Sequence, residues 1–85
     1  MDKQDEVRAS FPGDALRAAI PASHEAHESI DGLETELQGT TPRRASLEQH
    51  VVSLRSVREL EAIIANWWDR PSTQEFIADL TRIGL

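Results

Sequence analysis

The chain has 85 residues, which limits it to one domain, and its lack of cysteine excludes disulfides and thiolate zinc sites. No apolar run approaches the ~20 residues needed to cross a bilayer, and the acidic N-terminus does not fit a signal peptide, so we expect a cytoplasmic protein with no membrane partner. The net charge of −6 arises in residues 1–40, where nine acids face three bases, and an acidic chain of this kind argues against nucleic-acid binding.

The first twenty residues divide into a segment without a helix signal and a short predicted helix. Residues 1–10 have little apolar content and are predicted to form a flexible N-terminus. A Phe-Pro-Gly turn at residues 11–13 precedes a short predicted helix over residues 14–20, which Pro21 ends. The single helical domain is therefore predicted to span residues 11–85.

The next two helices are predicted to pair as a hairpin over residues 23–55. Ser23 is the predicted N-cap of the first helix, which ends at Gly39. Its apolar residues form a narrow seam like that of a coiled coil, and they are Ala26, Ile30, Leu33 and Leu37. A capping box, Ser46 with Gln49, marks the predicted start of the partner helix.

The apolar face of this partner helix changes direction near Arg55. At about 100° per residue, its first apolar residues centre on one side, and those from Val57 onward lie roughly 200–280° around the helix. A second capping box, Ser56 with Glu59, coincides with the change. We therefore favour a break near residues 55–56, and the alternative is a single helix that serves two different partners.

The remaining residues predict a second hairpin, over residues 56–85. Its first helix carries an apolar stripe that ends in Trp67, and Pro71 interrupts the helical pattern. A third capping box, Ser72 with Glu75, marks the predicted start of the last helix. No period-two stretch indicates a strand. The predicted fold is all-α, a small bundle of two helical hairpins with a short N-terminal helix.

His24, His27 and Glu28 form a conspicuous polar cluster. Their spacing of three and four on a helix would allow them to share a metal ion. The spacing does not match the His-Glu-x-x-His motif of zincins, however, and carboxylates near a helix N-terminus suit the helix dipole. We interpret the cluster as a solvated acidic face. The sequence predicts no metal site, no cofactor and no catalytic residue set, and thus no enzyme.

The adjacent tryptophans cannot both face the core, because neighbouring helical residues point ~100° apart. Trp67 continues the apolar stripe and is predicted to be buried, which leaves Trp68 at the edge. Tryptophan at a surface is common in binding hot spots. The alternative interpretation is that Trp68 closes the bottom of the core.

Four arginines form a candidate basic patch. Arg43 and Arg44 fall in a predicted loop, and Arg55 and Arg58 lie near the predicted break. Together they could bind an anion or phosphate. The alternative is that they are solvated side chains paired with neighbouring glutamates.

Residues 64–85 follow a recognisable order. Trp67 and Trp68 end one helix, a four-residue connector follows, and the next helix closes with Gly84. In this order the segment resembles the end of the helix-hairpin-helix domain of NAD-dependent DNA ligases. The resemblance implies a shared two-helix packing unit only, because the family contacts DNA through Gly-rich hairpins and residues 53–57 contain no glycine. No ligase site residue carries over, and we interpret the likeness as convergent.

These features predict a small non-catalytic protein-interaction module, such as a regulator, inhibitor or adaptor in a bacterial system. The partner is expected to be another protein, a second copy of the chain, or both, since the seam is a large apolar area for a small monomer to expose. The predicted partner-binding residues are Trp68, Arg43, Arg44, Ile30, Leu33 and Leu37. The alternatives are a helical nucleic-acid-binding module that uses the arginines and an acidic DNA mimic built on the first half.

Overall fold

The structure, a computed structural model, describes residues 3–83 and has only α-helices and short links in that range. The helices are α1 (Lys3–Ser10), α2 (Gly13–Ala18), α3 (Ala26–Gln38), α4 (Arg44–Arg55), α5 (Arg58–Trp68) and α6 (Pro71–Arg82). The predicted all-α class is confirmed. None of these helices has the length and apolar content needed to cross a membrane.

One core joins all of these helices. Each of them contributes at least one buried apolar side chain, and examples are Val7, Leu16, Leu33, Leu54, Ile64 and Leu80, in order from α1 to α6. α3 packs most extensively on α4, as the first predicted hairpin requires. α6 follows α5 along the chain, but its more extensive contacts are with α1. α6 therefore packs more on α1 than on α5, its predicted hairpin partner.

The N-terminal segment differs from the predicted flexible stretch over residues 1–10. Residues 3–10 form α1, and the side chain of Val7 is fully buried. A single buried valine produces no periodic apolar pattern, and the sequence therefore gave no sign of this helix. Residues 1 and 2 lie outside the described residues.

Polar side chains also hold α1 in place. Gln4 Nε2 donates to the carbonyl oxygens of Leu37, at 2.8 Å, and Gly39, at 2.7 Å. These carbonyls lie at the C-terminus of α3, where helical partners are lacking. Lys3 Nζ lies 3.0 Å from Asp79 Oδ2 on α6. α1 is thus tied to two helices that are distant in the sequence.

α2 is tied to α3 by an arginine between two acids. Arg17 Nη2 lies 2.7 Å from Asp31 Oδ1, and it also pairs with Glu34. The hydrogen bonds that Arg17 donates, first to Glu34 and then to Asp31, hold its pKa above the ordinary value, so the guanidinium stays charged. Gly13 starts α2 where a Cβ atom would lie 2.9 Å from Glu34 Oε2. A side chain at this position would therefore have to displace the Glu34 carboxylate that pairs with Arg17.

The predicted break between α4 and α5 is confirmed, and the single-helix alternative is wrong. α4 ends at Arg55 and α5 begins at Arg58. Ser56 Oγ donates to the carbonyl oxygen of Ser53 at 2.6 Å, so this serine closes α4 and does not start α5. The break allows α4 to pack on α3 while α5 reaches α2.

The predicted serine caps do not start the helices. α4 begins two residues before Ser46, α5 two residues after Ser56 and α6 one residue before Ser72. At α6, Pro71 takes the first helical position, where its missing N–H carries no penalty. A Ser-x-x-Glu pattern marks a helix start only where the serine lies outside the helix, and the sequence pattern alone does not establish that.

Candidate protein interface

The α3 seam that was predicted to bind a partner is covered within the chain. Ile30, Leu33 and Leu37 are each 0% exposed. α3 packs on α4, α1 and α2 of the same chain, and these helices bury the seam. The three residues therefore belong to the core, and their assignment to a partner surface is corrected. The seam was predicted to need a partner because α1, which helps to cover it, was not recognised as a helix.

The four arginines of the predicted basic patch are separated by the length of α4. Arg43 and Arg44 lie where α4 begins, and Arg55 and Arg58 flank its other end, about 16 Å away at 1.5 Å per residue. Arg44 Nη1 pairs with Glu48 Oε1 at 2.9 Å. The structure therefore does not gather the four charges into one anion site.

The histidine cluster makes local contacts with the backbone. His24 Nδ1 accepts a hydrogen bond from the backbone N–H of Ala26, at 3.0 Å, where α3 begins three residues after the predicted cap. His27 Nε2 lies 2.9 Å from the carbonyl oxygen of Pro21, so this nitrogen acts as a donor. Among residues 3–83, no group of three or more acidic or histidine side chains is arranged to hold a metal ion.

The two tryptophans separate as predicted. Trp67 is 2% exposed, its Nε1 donates to the carbonyl oxygen of Val7 at 3.2 Å, and its ring meets Phe11 edge-on with centroids 5.0 Å apart. Trp68 is half-buried at the edge of the core, and its ring centroid lies 5.8 Å from that of Trp67. Trp67 is thus a core residue, and part of Trp68 remains open to contact.

Trp68 lies beside α4, and together they form a surface with an apolar centre. The hollow between them has a volume of about 230 Å³. Its lining residues, which we call the Trp68 surface, are Glu48, Val51, Val52, Arg55 and Trp68. Val51 is buried at its base, whereas Val52 is 67% exposed. An exposed valine next to a half-buried tryptophan makes this apolar area contiguous.

Charged side chains flank this apolar centre along α4. Arg44, Glu48, Val52 and Arg55 are spaced by four, four and three residues and so share one side of the helix. Glu48 pairs with Arg44, whereas Arg55 has no ion-pair partner in the part of the chain that the structure describes. An apolar centre with a charged rim is the usual arrangement of a protein–protein interface.

The structure unites some of the predicted partner-binding residues and separates others. Trp68 lies in this surface, and Arg44 adjoins it through Glu48. Arg43 is exposed but precedes α4 and lies outside the surface. Val52 was not among the predicted partner-binding residues, although its position in the sequence indicated that it is exposed. It falls off the apolar stripe of α4, so an aliphatic side chain there has to face solvent or a partner.

Comparisons with protein-family models, with curated proteins and with solved structures find no match for this chain. The likeness of residues 64–85 to DNA ligases accordingly stays a prediction. The geometry of the Trp68 surface is therefore the basis for assigning a function.

Proposed function

We propose that this chain is a small non-catalytic protein-interaction module that binds a partner protein through the Trp68 surface. The observation that carries the proposal is the half-buried ring of Trp68 beside Val52, which is 67% exposed. Tryptophan is enriched among the residues that dominate binding energies, and such residues lie at interface centres surrounded by polar groups. Covering this apolar area would favour a complex, and the gain is partly offset by the freedom that the two proteins lose on association.

The helices that present the surface are fixed by the core. The opposite side of α4 buries Leu47 and Leu54, each 0% exposed. Trp68 ends α5 directly after Trp67, whose indole is anchored to α1. Because these side chains are presented on packed helices, little conformational entropy is lost when a partner binds.

The rim of the surface favours a partner with acidic groups beside an apolar segment. Arg55 can contact a carboxylate of the partner without breaking an existing ion pair. Arg44 can do so while it stays paired with Glu48. Complementary charges of this kind mainly raise the association rate and make it sensitive to salt. A module with this surface would act as a regulator, inhibitor or adaptor of its partner.

The experiment compares two aliphatic side chains of nearly equal exposure. Val52 is 67% exposed and lies in the Trp68 surface, whereas Ile83 is 66% exposed and lies outside it. Val52→Ser and Trp68→Ala should weaken the capture of a partner from an extract of the source organism, and Ile83→Ser should not. Quantitative mass spectrometry of the captured proteins measures the difference. Equal capture by the three variants would contradict the proposal.

The nucleic-acid alternative has less support, because the arginines divide between the two ends of α4. A gel shift at low salt that is lost on replacement of Arg43 and Arg44 would favour it over a protein partner. The acidic-mimic alternative rests on the charge of residues 1–40 alone.

A further inference from the structure

A second cleft lies between α5 and the turn that joins α1 to α2. Its volume is about 600 Å³, which falls in the range of roughly 300–1,000 Å³ that is typical of small-molecule sites. We call it the α5 cleft, and the residues that line it include Ala15, Ala62, Ile63, Asn66, Trp67 and Arg70. Most of these side chains are apolar, so the cleft is suited to a molecule with an apolar body.

The tryptophan in the wall of the cleft is held rigidly. Trp67 Nε1 donates to the carbonyl oxygen of Val7 at 3.2 Å, and Phe11 packs edge-on against the indole ring. The N–H of this indole is therefore already used within the chain. Trp67 is 2% exposed, so only a small part of its side chain can meet a ligand in the cleft.

The polar groups that line the cleft include one cation and no acid. Asn66 and Arg70 are exposed, and within residues 3–83 neither the amide nor the guanidinium has a hydrogen-bond or ion-pair partner. The hydroxyl of Ser10 donates to the carbonyl oxygen of Val7 at 3.1 Å and can only accept a further bond. In a chain with a net charge of −6, a cleft with an unpaired arginine and no carboxylate favours an anionic group.

We propose that the α5 cleft binds a small aliphatic carboxylate. Its carboxylate would pair with Arg70, since guanidinium groups bind carboxylates through two parallel N–H bonds, and Asn66 would donate a further hydrogen bond. Its hydrocarbon chain would lie along Ala62 and Ile63 and touch the small exposed part of Trp67. Each methylene buried in this way should raise the affinity about fourfold. This site is separate from the Trp68 surface and does not depend on the function proposed for it.

Trp67 supplies the readout for a direct test. Trp68→Phe leaves Trp67 as the only tryptophan in the chain, so a ligand against its ring should change the fluorescence. Titration of this variant with decanoate should give a saturable change. Octanoate, which is shorter by two methylenes, should bind roughly fifteenfold more weakly. Decanol should bind more weakly than decanoate because it cannot pair with Arg70.

Matched variants in the same background separate the charge from the apolar wall. Arg70→Gln should weaken decanoate binding about tenfold and leave decanol binding unchanged. Arg58→Gln removes an equally unpaired charge from the other end of α5 and should change neither. Ala62→Phe should fill the cleft and block both ligands, whereas Ala78→Phe, at an exposed alanine of α6, should not.

The proposal is supported by saturable decanoate binding that Arg70→Gln weakens and Arg58→Gln does not. It is overturned if decanoate gives no saturable signal in a chain whose circular-dichroism spectrum remains helical. Equal affinities for decanoate and decanol, or equal losses in the two arginine variants, would also overturn it. An apolar peptide with a free carboxyl terminus is the last probe. If the peptide binds and decanoate does not, the cleft is a site for a protein chain and the proposal fails.

Discussion

Thr73 is a fully buried polar residue of α6, and its Oγ1 has no hydrogen-bond partner within the described part of the chain. An unpaired hydroxyl in such a place costs about 1–3 kcal/mol. Thr73→Val keeps the branched shape and removes the hydroxyl, so we expect the free energy of unfolding to rise by about 1 kcal/mol. Urea denaturation measures this change. Thr35→Val, at an exposed threonine of α3, is the control and should have little effect. Destabilisation by Thr73→Val would contradict the prediction.

Gly32 lies inside α3, where glycine costs about 1 kcal/mol relative to alanine. A Cβ atom at this position would lie 2.7 Å from His50 Cε1 on α4, so an added methyl group would displace the imidazole. We expect Gly32→Ala to bring no gain in stability in the native chain. In a His50→Ala background, the same change should stabilise the protein by about 1 kcal/mol. Thermal denaturation of the four chains measures this coupling, and an equal effect of Gly32→Ala in both backgrounds would refute it.

At the scale of elements, an ion pair joins α1 to α6. The hydrogen bond from Lys3 lowers the pKa of Asp79 below its ordinary value and outweighs desolvation, and Arg82 adds a smaller attraction. Because the folded carboxyl is the stronger acid, its stabilising effect is complete above the unfolded pKa of about 4. The effect is lost as the pH falls through the lower pKa of the folded state.

We therefore expect Asp79→Asn to lower the melting temperature at neutral pH and to have progressively less effect as the pH falls below about 4. Melting curves at a series of pH values measure the difference from the native chain. Lys3→Gln should give a smaller deficit with the same pH dependence, because Arg82 still pairs with Asp79. A deficit of Asp79→Asn that stays constant down to about pH 2 would show that the ion pair is not its cause.

The helices differ in how far their sequence predicted them. α3 to α6 each carry an apolar stripe at helical spacing, and residues such as Leu33 and Trp67 are buried as that spacing indicates. α1 has one buried residue, Val7, and depends on contacts of Gln4 with the end of α3. Such contacts link positions more than thirty residues apart, so no local pattern predicts them.

The candidate site was predictable only in part. The rotation of ~100° per residue places Trp68 at an edge once Trp67 is in the core. The same rule would have placed Val52 outside the stripe of α4. Their proximity depends on the direction that α5 takes after the break at residues 56 and 57, and a change in helix direction leaves no periodic signal in the sequence.

At the scale of the whole molecule, the α3 seam is buried within one chain, so it stabilises the fold without a second copy. Leu33 is 0% exposed, so Leu33→Ala should cost about 2–5 kcal/mol of folding stability. If the seam is intramolecular, the fall in melting temperature should be the same at low and high protein concentrations. Calorimetry across a wide concentration range tests this. A deficit that changes with concentration would show that the seam joins two copies.

The position of α1 also affects how the molecule can be handled. Because residues 1–10 have low hydropathy, they are an obvious segment to delete when the protein is prepared for crystallisation. Trimming would remove Val7 from the core, deprive the Trp67 indole of its acceptor and leave the carbonyls of Leu37 and Gly39 without the amide that Gln4 supplies. The shortened chain would expose apolar side chains of the core beside the α5 cleft. Ligands that bind to these side chains would not reflect the native site. Residues 3–10 are accordingly part of the folded body in any engineered form.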